Sequence, residues 1–217
     1  MATKQLPDYL RWDGERSANR ILVLAHGAGA PMDSPFMDAV ALGVVKHSGH
    51  AMAVVRFEFA YMAARRVDGK RRGPDRPAML EARWHDVIEH LTALGERPMV
   101  IGGKSMGGRI ASMVADDLSA DGLVCLGYPF HPAGKPERTR TEHLATLKTQ
   151  TLMCQGERDP LGTRAEVEGY TLANTIRISW YEDGNHDLKP RKSSGFSETE
   201  HLERLIREVT EFCGDGD

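Results

Sequence analysis

The order of apolar runs along this chain predicts an α/β domain of three layers: a mostly parallel sheet of about six strands with helices on both faces. Three observations lead there. Short apolar and β-branched runs alternate with longer stretches whose apolar residues recur at helical spacing. Strand-to-helix connections carry glycine, proline or clustered polar residues that stop one element before the next. The length, 217 residues, suits a single domain spanning 1–217 that buries its own core without a disulfide or metal staple.

Each element can be justified in order. "RILVLAHG" (Arg20 to Gly27) is an apolar run closing on a glycine turn, a buried strand. "PFMDAVALGVVKHSG" has helical spacing and a Gly49 stop. "AMAVVRFEF" is a second strand. In "AMLEARWHDVIEHLTALG", Leu80, Trp84, Val87, Ile88, Leu91 and Leu94 form one apolar stripe of a helix. "RPMVIGG" is a strand, "MGGRIASMVADDL" a helix and "GLVCLGYP" a strand. "TEHLATLK" reads as a short helix, "QTLMCQG" as a strand, "RAEVEGYTLA" as a helix and "TIRISWYE" as a sixth strand. "SETEHLERLIREVTEFCG" closes the chain as an amphipathic helix with Ser197 or Thr199 as N-cap. "YLRWDG" is the one segment that could add an antiparallel strand. Two long polar loops are expected, near Ala60 to Pro77 and near His131 to Thr141. No large cap domain has room in this length.

Composition excludes several functions. The formal net charge of −3 does not suit a general nucleic-acid binder. Cys125, Cys154 and Cys213 are odd in number and form no CxxC pair, so neither a disulfide framework nor a metal site is expected, and no cofactor motif is present. Cys125 and Cys154 sit in apolar runs and read as buried small hydrophobes. The polar N-terminus lacks a signal peptide, and no apolar run is long enough to span a membrane, so a cytoplasmic protein is expected. The sequence leaves the oligomeric state open.

The stretch "IGGKSMGGR", beginning at Ile101, contains two overlapping motifs. Gly-Lys-Ser resembles the tail of a phosphate-binding loop, but G-x-x-x-x-G-K-[ST] would place its first glycine at Pro98. Proline has no N–H to offer a phosphate, and the strand runs up to Gly102 without leaving room for a loop. The alternative, G-x-S-x-G, is met by Gly103, Ser105 and Gly107 between a strand and a helix. This is the pattern of a nucleophile elbow, whose crowded turn requires glycine on both sides of the serine.

A nucleophilic serine needs a base, an acid to orient it and donors for an oxyanion. Asp159 follows the fifth strand in "QGERDPLG", and His186 follows the sixth in "EDGNHDLKP". The chain order Ser, Asp, His and the strand-end positions fit a triad of Ser105, Asp159 and His186. Glu157 is the main rival for the acid, and Asp183 and Asp187 share the loop of His186. His85, His90 and His143 fall on predicted helices, and His201 reads as a surface residue. The turn "HGAGA" after the first strand can aim N–H groups at the pocket, which makes Met106 and Ala28 the expected oxyanion donors. His26 is expected to support that turn.

These segments also carry a resemblance. "LVLAHGAGAPMDSPFM", "GGKSMGGRIAS", "GYPFHPAGKPERTRTEHL", "QGERDPLGT" and "GNHDLKP" together resemble the α/β-hydrolase superfamily, from about Arg20 to the final helix. More narrowly, they resemble the testis-expressed and histone-acetyltransferase-complex hydrolase-like proteins and their bacterial relatives. The resemblance implies Ser105 as nucleophile, Asp159 as acid and His186 as base. It leaves the substrate unnamed, and some of those relatives act as scaffolds.

The remaining expectation concerns charge. "ARRVDGKRRGPDR" and "HPAGKPERTR" gather cations on the strand edge that carries Ser105. Charge runs are most often solvated loops; the functional alternative is that Arg65, Arg66, Arg72 and Arg138 bind a carboxylate or phosphate. The function expected is hydrolysis of a small acyl ester or thioester, the partner being that small molecule rather than nucleic acid or membrane. The alternative is a hydrolase-like scaffold that binds a partner through these basic loops.

Overall fold

The structure is a computed structural model that describes residues 7–214. Seven strands form one sheet: β1 Leu10–Asp13, β2 Arg20–Ala25, β3 Met52–Phe57, β4 Met99–Lys104, β5 Gly122–Leu126, β6 Thr151–Gly156 and β7 Ile176–Tyr181. Their spatial order is β1-β3-β2-β4-β5-β6-β7. Only the β1–β3 pairing is antiparallel, with Leu10 opposite Phe57 and Asp13 opposite Val54. The six expected strands are all present, and "YLRWDG" supplies the seventh at the edge.

The helices are α1 Pro35–His47, α2 Ala60–Asp68, α3 Pro77–Thr92, α4 Met106–Val114, α5 Arg164–Val167 and α6 Glu198–Gly214, with a 3₁₀ turn at Glu142–Ala145. Each parallel strand pair needs a crossover, and these segments supply the helices that cover the two faces. Strand alternation divides the core. Ile21, Val23 and Ala25 of β2 pack with Trp84 and Val87 of α3 and Ile110 of α4. Leu22 and Leu24 pack on the opposite face with Val40 and Val44 of α1 and Leu205 and Val209 of α6. A strand buried on both sides has no polar face, so "RILVLA" reads as a continuous apolar run.

Two local readings change, and one alternative is resolved. Ala60 to Pro77 is not a loop throughout, because α2 fills its first half. Only Tyr61 and Met62 of α2 are buried, too few for a stripe, and the helix ends at Gly69 with φ +70. The segment "RAEVEGYTLA" forms a single helical turn, α5, rather than a full helix. Ser197, not Thr199, precedes α6: its Oγ accepts from the N–H of Glu200 at 3.1 Å, while the Glu200 carboxylate accepts from the N–H of Ser197 at 2.9 Å. That reciprocal pair is a capping box.

A buried ion pair ties the edge strand to the sheet. Arg56 of β3 is fully buried; its Nε donates to Asp13 of β1 at 2.8 Å. Its Nη1 donates to Asp38 of α1 at 2.6 Å and to the Met32 carbonyl at 2.7 Å. Arg56→Leu is predicted to lower stability by about 3 kcal/mol, because buried Asp13 would keep only the longer 3.6 Å contact to half-exposed Arg11. Urea unfolding measures this; a loss below about 1 kcal/mol would show that Asp13 reaches water or another partner.

Candidate active site

β4 runs directly into α4, and Ser105 is the single residue between them. It holds φ +52 and ψ −117, a conformation L-residues seldom adopt. Its backbone is fixed from both sides: its N–H donates to the Leu126 carbonyl at 3.0 Å, and its carbonyl accepts from the N–H of Arg109 at 3.0 Å. The flanking glycines are required by β2. A Cβ on Gly107 would lie 2.5 Å from the Ala25 carbonyl oxygen and 2.7 Å from that of His26. A Cβ on Gly103 would run into the same Ala25 oxygen. The elbow sits between β2 and β4, where successive connections turn to opposite sides of the sheet and crevices open.

Hydrogen bonds link the three residues expected to act together. His186 Nδ1 lies 2.7 Å from Asp159 Oδ2, and His186 Nε2 lies 2.8 Å from Ser105 Oγ. An ionised carboxylate only accepts, so Nδ1 carries the ring proton and Nε2 accepts from the serine hydroxyl. Asp159 is completely buried. Its Oδ1 accepts from the N–H of Leu161 at 2.8 Å and its Oδ2 from Gln155 Nε2, also at 2.8 Å. Gln155 was not singled out by the sequence reading. The signal available was one amide inside the otherwise apolar strand "TLMCQG".

The rival acids are engaged elsewhere. Glu157 pairs with Arg164 at 2.9 Å, Asp183 with Arg158 and Arg191, and Asp187 with Lys104 at 3.2 Å. His201 is buried rather than on the surface, its Nδ1 donating to the Leu188 carbonyl at 2.8 Å. A second serine–histidine contact exists: His143 Nε2 lies 2.9 Å from Ser112 Oγ. That hydroxyl already donates its one proton to the Arg109 carbonyl at 2.7 Å, so His143 donates to Ser112 and does not act as its base.

The match to a family model for the alpha/beta hydrolase domain covers residues 18–214. The chain belongs to the α/β-hydrolase family. The match is to the domain family and does not reach the narrower group that the motifs resemble. No curated protein matches the chain. Solved structures share the fold at low identity. An α/β serine hydrolase without a lid from Xanthomonas campestris is 16% identical at a TM-score of 0.66, over 95% of this chain and 86% of that one. Est1E from Butyrivibrio proteoclasticus is 12% identical at 0.70, over 95% and 93%. A dienelactone hydrolase from Anabaena variabilis is 20% identical at 0.70, over 93% and 88%.

In this α/β hydrolase the two expected oxyanion donors both adjoin Ser105. Met106 opens α4, so its N–H has no acceptor within the helix. The Gly27–Ala28 peptide is held by its carbonyl, which accepts from His26 Nδ1 at 2.6 Å. The N–H of a trans peptide points opposite to its C=O, which turns the Ala28 N–H away from His26. His26 supports this turn as expected. It is fully buried, its Nε2 accepts from the N–H of Phe59 at 3.2 Å, and burial lowers its pKa.

Lys104, the residue before the elbow serine, is more than a variable position. Its Nζ donates to the carbonyl of His186 at 2.7 Å and pairs with Asp187. It therefore braces the loop that carries the imidazole, while burial lowers its own pKa. Two cavities open on Ser105. One, about 470 Å³, also touches Ala28, Phe36 and His186. The other, about 440 Å³, is walled by Met106, Arg109, Pro129 and Arg140. The arginines singled out from sequence line neither. Arg66 is held by Glu58 and Asp33, and Arg72 by Asp68. Arg65 projects from α2, and Arg138 lies exposed on the loop after β5.

Two outcomes follow from this geometry. Gly107→Ala is predicted to cost roughly 3 kcal/mol, since both clashing atoms are backbone and can yield only by separating α4 from β2. Chemical denaturation reads this, and a cost under about 1 kcal/mol would show that the elbow can open. His26, with Glu58 and Arg66 nearby, governs an acid limb of stability. Unfolded, its imidazole titrates near 6.5; folded, it stays neutral to lower pH. Below pH 6.5 the unfolded chain binds more protons, so stability falls with pH by up to about 1.4 kcal/mol per unit from this group. Folding free energies of wild type and His26→Gln between pH 7.5 and 5.5 should diverge in slope; parallel slopes would exclude His26.

Proposed function

We propose that this chain is a serine hydrolase that cleaves a small acyl ester or thioester through an acyl-enzyme on Ser105. The observation that carries the reading is the unbroken hydrogen-bond chain from Asp159 through His186 to Ser105, set on a strained elbow. His186 Nε2 takes the hydroxyl proton as Ser105 Oγ attacks the substrate carbonyl carbon. Negative charge collects on the carbonyl oxygen, where the N–H groups of Met106 and Ala28 receive it. The tetrahedral intermediate collapses, the bond to the leaving group breaks, and His186 delivers its proton to the departing oxygen or sulfur. Water, deprotonated by the same imidazole, then attacks the acyl-enzyme and releases the acid and Ser105. Asp159 stays ionised throughout, fixing the imidazole tautomer and stabilising its charged form.

The cavities favour small substrates. Volumes of about 470 and 440 Å³ suit ligands of modest size. Labelling with a fluorophosphonate probe tests the reading. Wild type should be labelled, and both Ser105→Ala and His186→Ala should lose the label. Asp159→Asn should retain its fold and lose about 10⁴ in kcat against a short-chain ester. A folded wild type that takes no label would reject the hydrolase reading in favour of a binding scaffold.

A further inference from the structure

The two cavities at Ser105 differ in how their cations are met: Lys104 and Lys189 in one are paired with Asp187 and Glu198. The one beside α4 holds Arg109 and Arg140, and neither guanidinium has an acidic partner among the described residues. Arg109 Nε is buried without any hydrogen-bond partner. This sets the pair apart from Arg56, Arg66 and Arg204, each of which is ion-paired with a carboxylate. Both residues are part-buried; a cation shielded from water without a partner is costly, and two together add mutual repulsion. Burial, followed by the charge of Arg109, lowers the pKa of Arg140.

The fold nevertheless holds both in place. Arg109 on α4 lies four residues beyond the N-cap Ser105, about 6 Å along the axis. Arg140 is pinned at both ends of its backbone unit: its N–H donates to the Phe130 carbonyl at 2.7 Å, and its carbonyl accepts from the Tyr128 hydroxyl at 2.9 Å. Tyr128 is fixed in turn by its N–H to Gln155 Oε1 at 2.7 Å, and Gln155 also grips Asp159. One cation is thus presented from a helix and the other from a hydrogen-bonded loop end, both lining the cavity that reaches Ser105.

Charge count and the direction of proton transfer narrow the ligand. Asp75 also lines this cavity, its Oδ2 accepting from the N–H of Tyr61 at 3.0 Å. Two guanidiniums less one carboxylate leave a single positive charge, which a carboxylate balances and a phosphate dianion would exceed. The leaving group receives its proton from His186, which lines the other cavity. A group seated beside Arg109 and Arg140 therefore stays with the acyl part.

We propose that this cavity binds a carboxylate carried on the acyl chain, so that the preferred substrates are monoesters or monothioesters of short dicarboxylic acids. The proposal rests on Ser105 being the nucleophile. Arginine pairs recognise carboxylates through paired, charge-assisted N–H donors, which a neutral acyl chain leaves unsatisfied.

The test compares p-nitrophenyl hemiglutarate with p-nitrophenyl pentanoate, each corrected for spontaneous hydrolysis. Wild type should favour the hemiglutarate in kcat/KM by about tenfold or more at low salt, and the preference should shrink as salt rises. Arg109→Gln and Arg140→Gln should each bring the ratio towards unity. A wild-type ratio at or below one overturns the proposal and leaves the hydrolase reading intact, whether or not the variants fold. Ser105→Ala, titrated with monomethyl glutarate and with methyl pentanoate, separates binding from turnover. If wild type turns over neither p-nitrophenyl ester but monomethyl glutarate alone stabilises Ser105→Ala against heat, the anion site stands and the hydrolase reading fails. No turnover with no stabilisation overturns both.

Discussion

The structure depends on how closely the turn at Ser105 packs against the end of β2. The carbonyl oxygens of Ala25 and His26 occupy the space that side chains at 103 and 107 would need. That proximity brings α4 down onto the sheet and holds Ser105 at positive φ. It also sets the turn "HGAGA" beside Ser105, because the turn simply continues β2. Elbow and candidate oxyanion donors are therefore one packing arrangement. The strained backbone of Ser105 is held by Leu126 on the neighbouring strand and by Arg109 on the helix.

Around this point buried polar groups are treated in two ways. Those that support the relay are saturated. Asp159 accepts from His186, Gln155 and the N–H of Leu161, and both ring nitrogens of His26 are engaged. Such networks stiffen a site because each bond limits the freedom of the next. Arg109 and Arg140 are the opposite case, cations that the fold positions but does not neutralise. A fold that satisfies Arg56 with two carboxylates and a carbonyl has the means to satisfy these as well.

How much of this was legible in the sequence follows from how local each signal is. The elbow is local: two glycines, a serine and the switch from strand to helix lie within one stretch. Asp159 and His186 are distant in sequence but fall at equivalent strand ends, so chain order alone brings them to the serine. Central strands such as β2 and β5 were legible because runs buried on both faces are apolar. Helix α2 was not, since two buried residues make no periodic stripe. His201 looked exposed beside polar neighbours, yet its ring packs edge-on to Tyr181, a contact across 20 residues of chain. Lys104 gains its role from a partner 82 residues away, and Gln155 from partners 4 and 27 residues away, contacts that no local pattern encodes.

The charge pattern shows why counting cations along the chain misdirects. "ARRVDGKRRGPDR" is dense in arginine, but density brings aspartate and glutamate with it in space: Arg66 meets Glu58 and Asp33, and Arg72 meets Asp68. Arg109 sits alone in the apolar helix "MGGRIASMV", and Arg140 lies near the end of a polar loop. Neither stands out by number. What distinguishes them is the absence of an answering acid among the described residues, together with a cavity that leads to Ser105. For a surface run, solvent screens each charge and little follows from its sign. For a part-buried pair beside the strained Ser105, the unmet charge itself constrains what can bind, and it does so on the side away from His186, where the proposed reaction leaves the acyl chain.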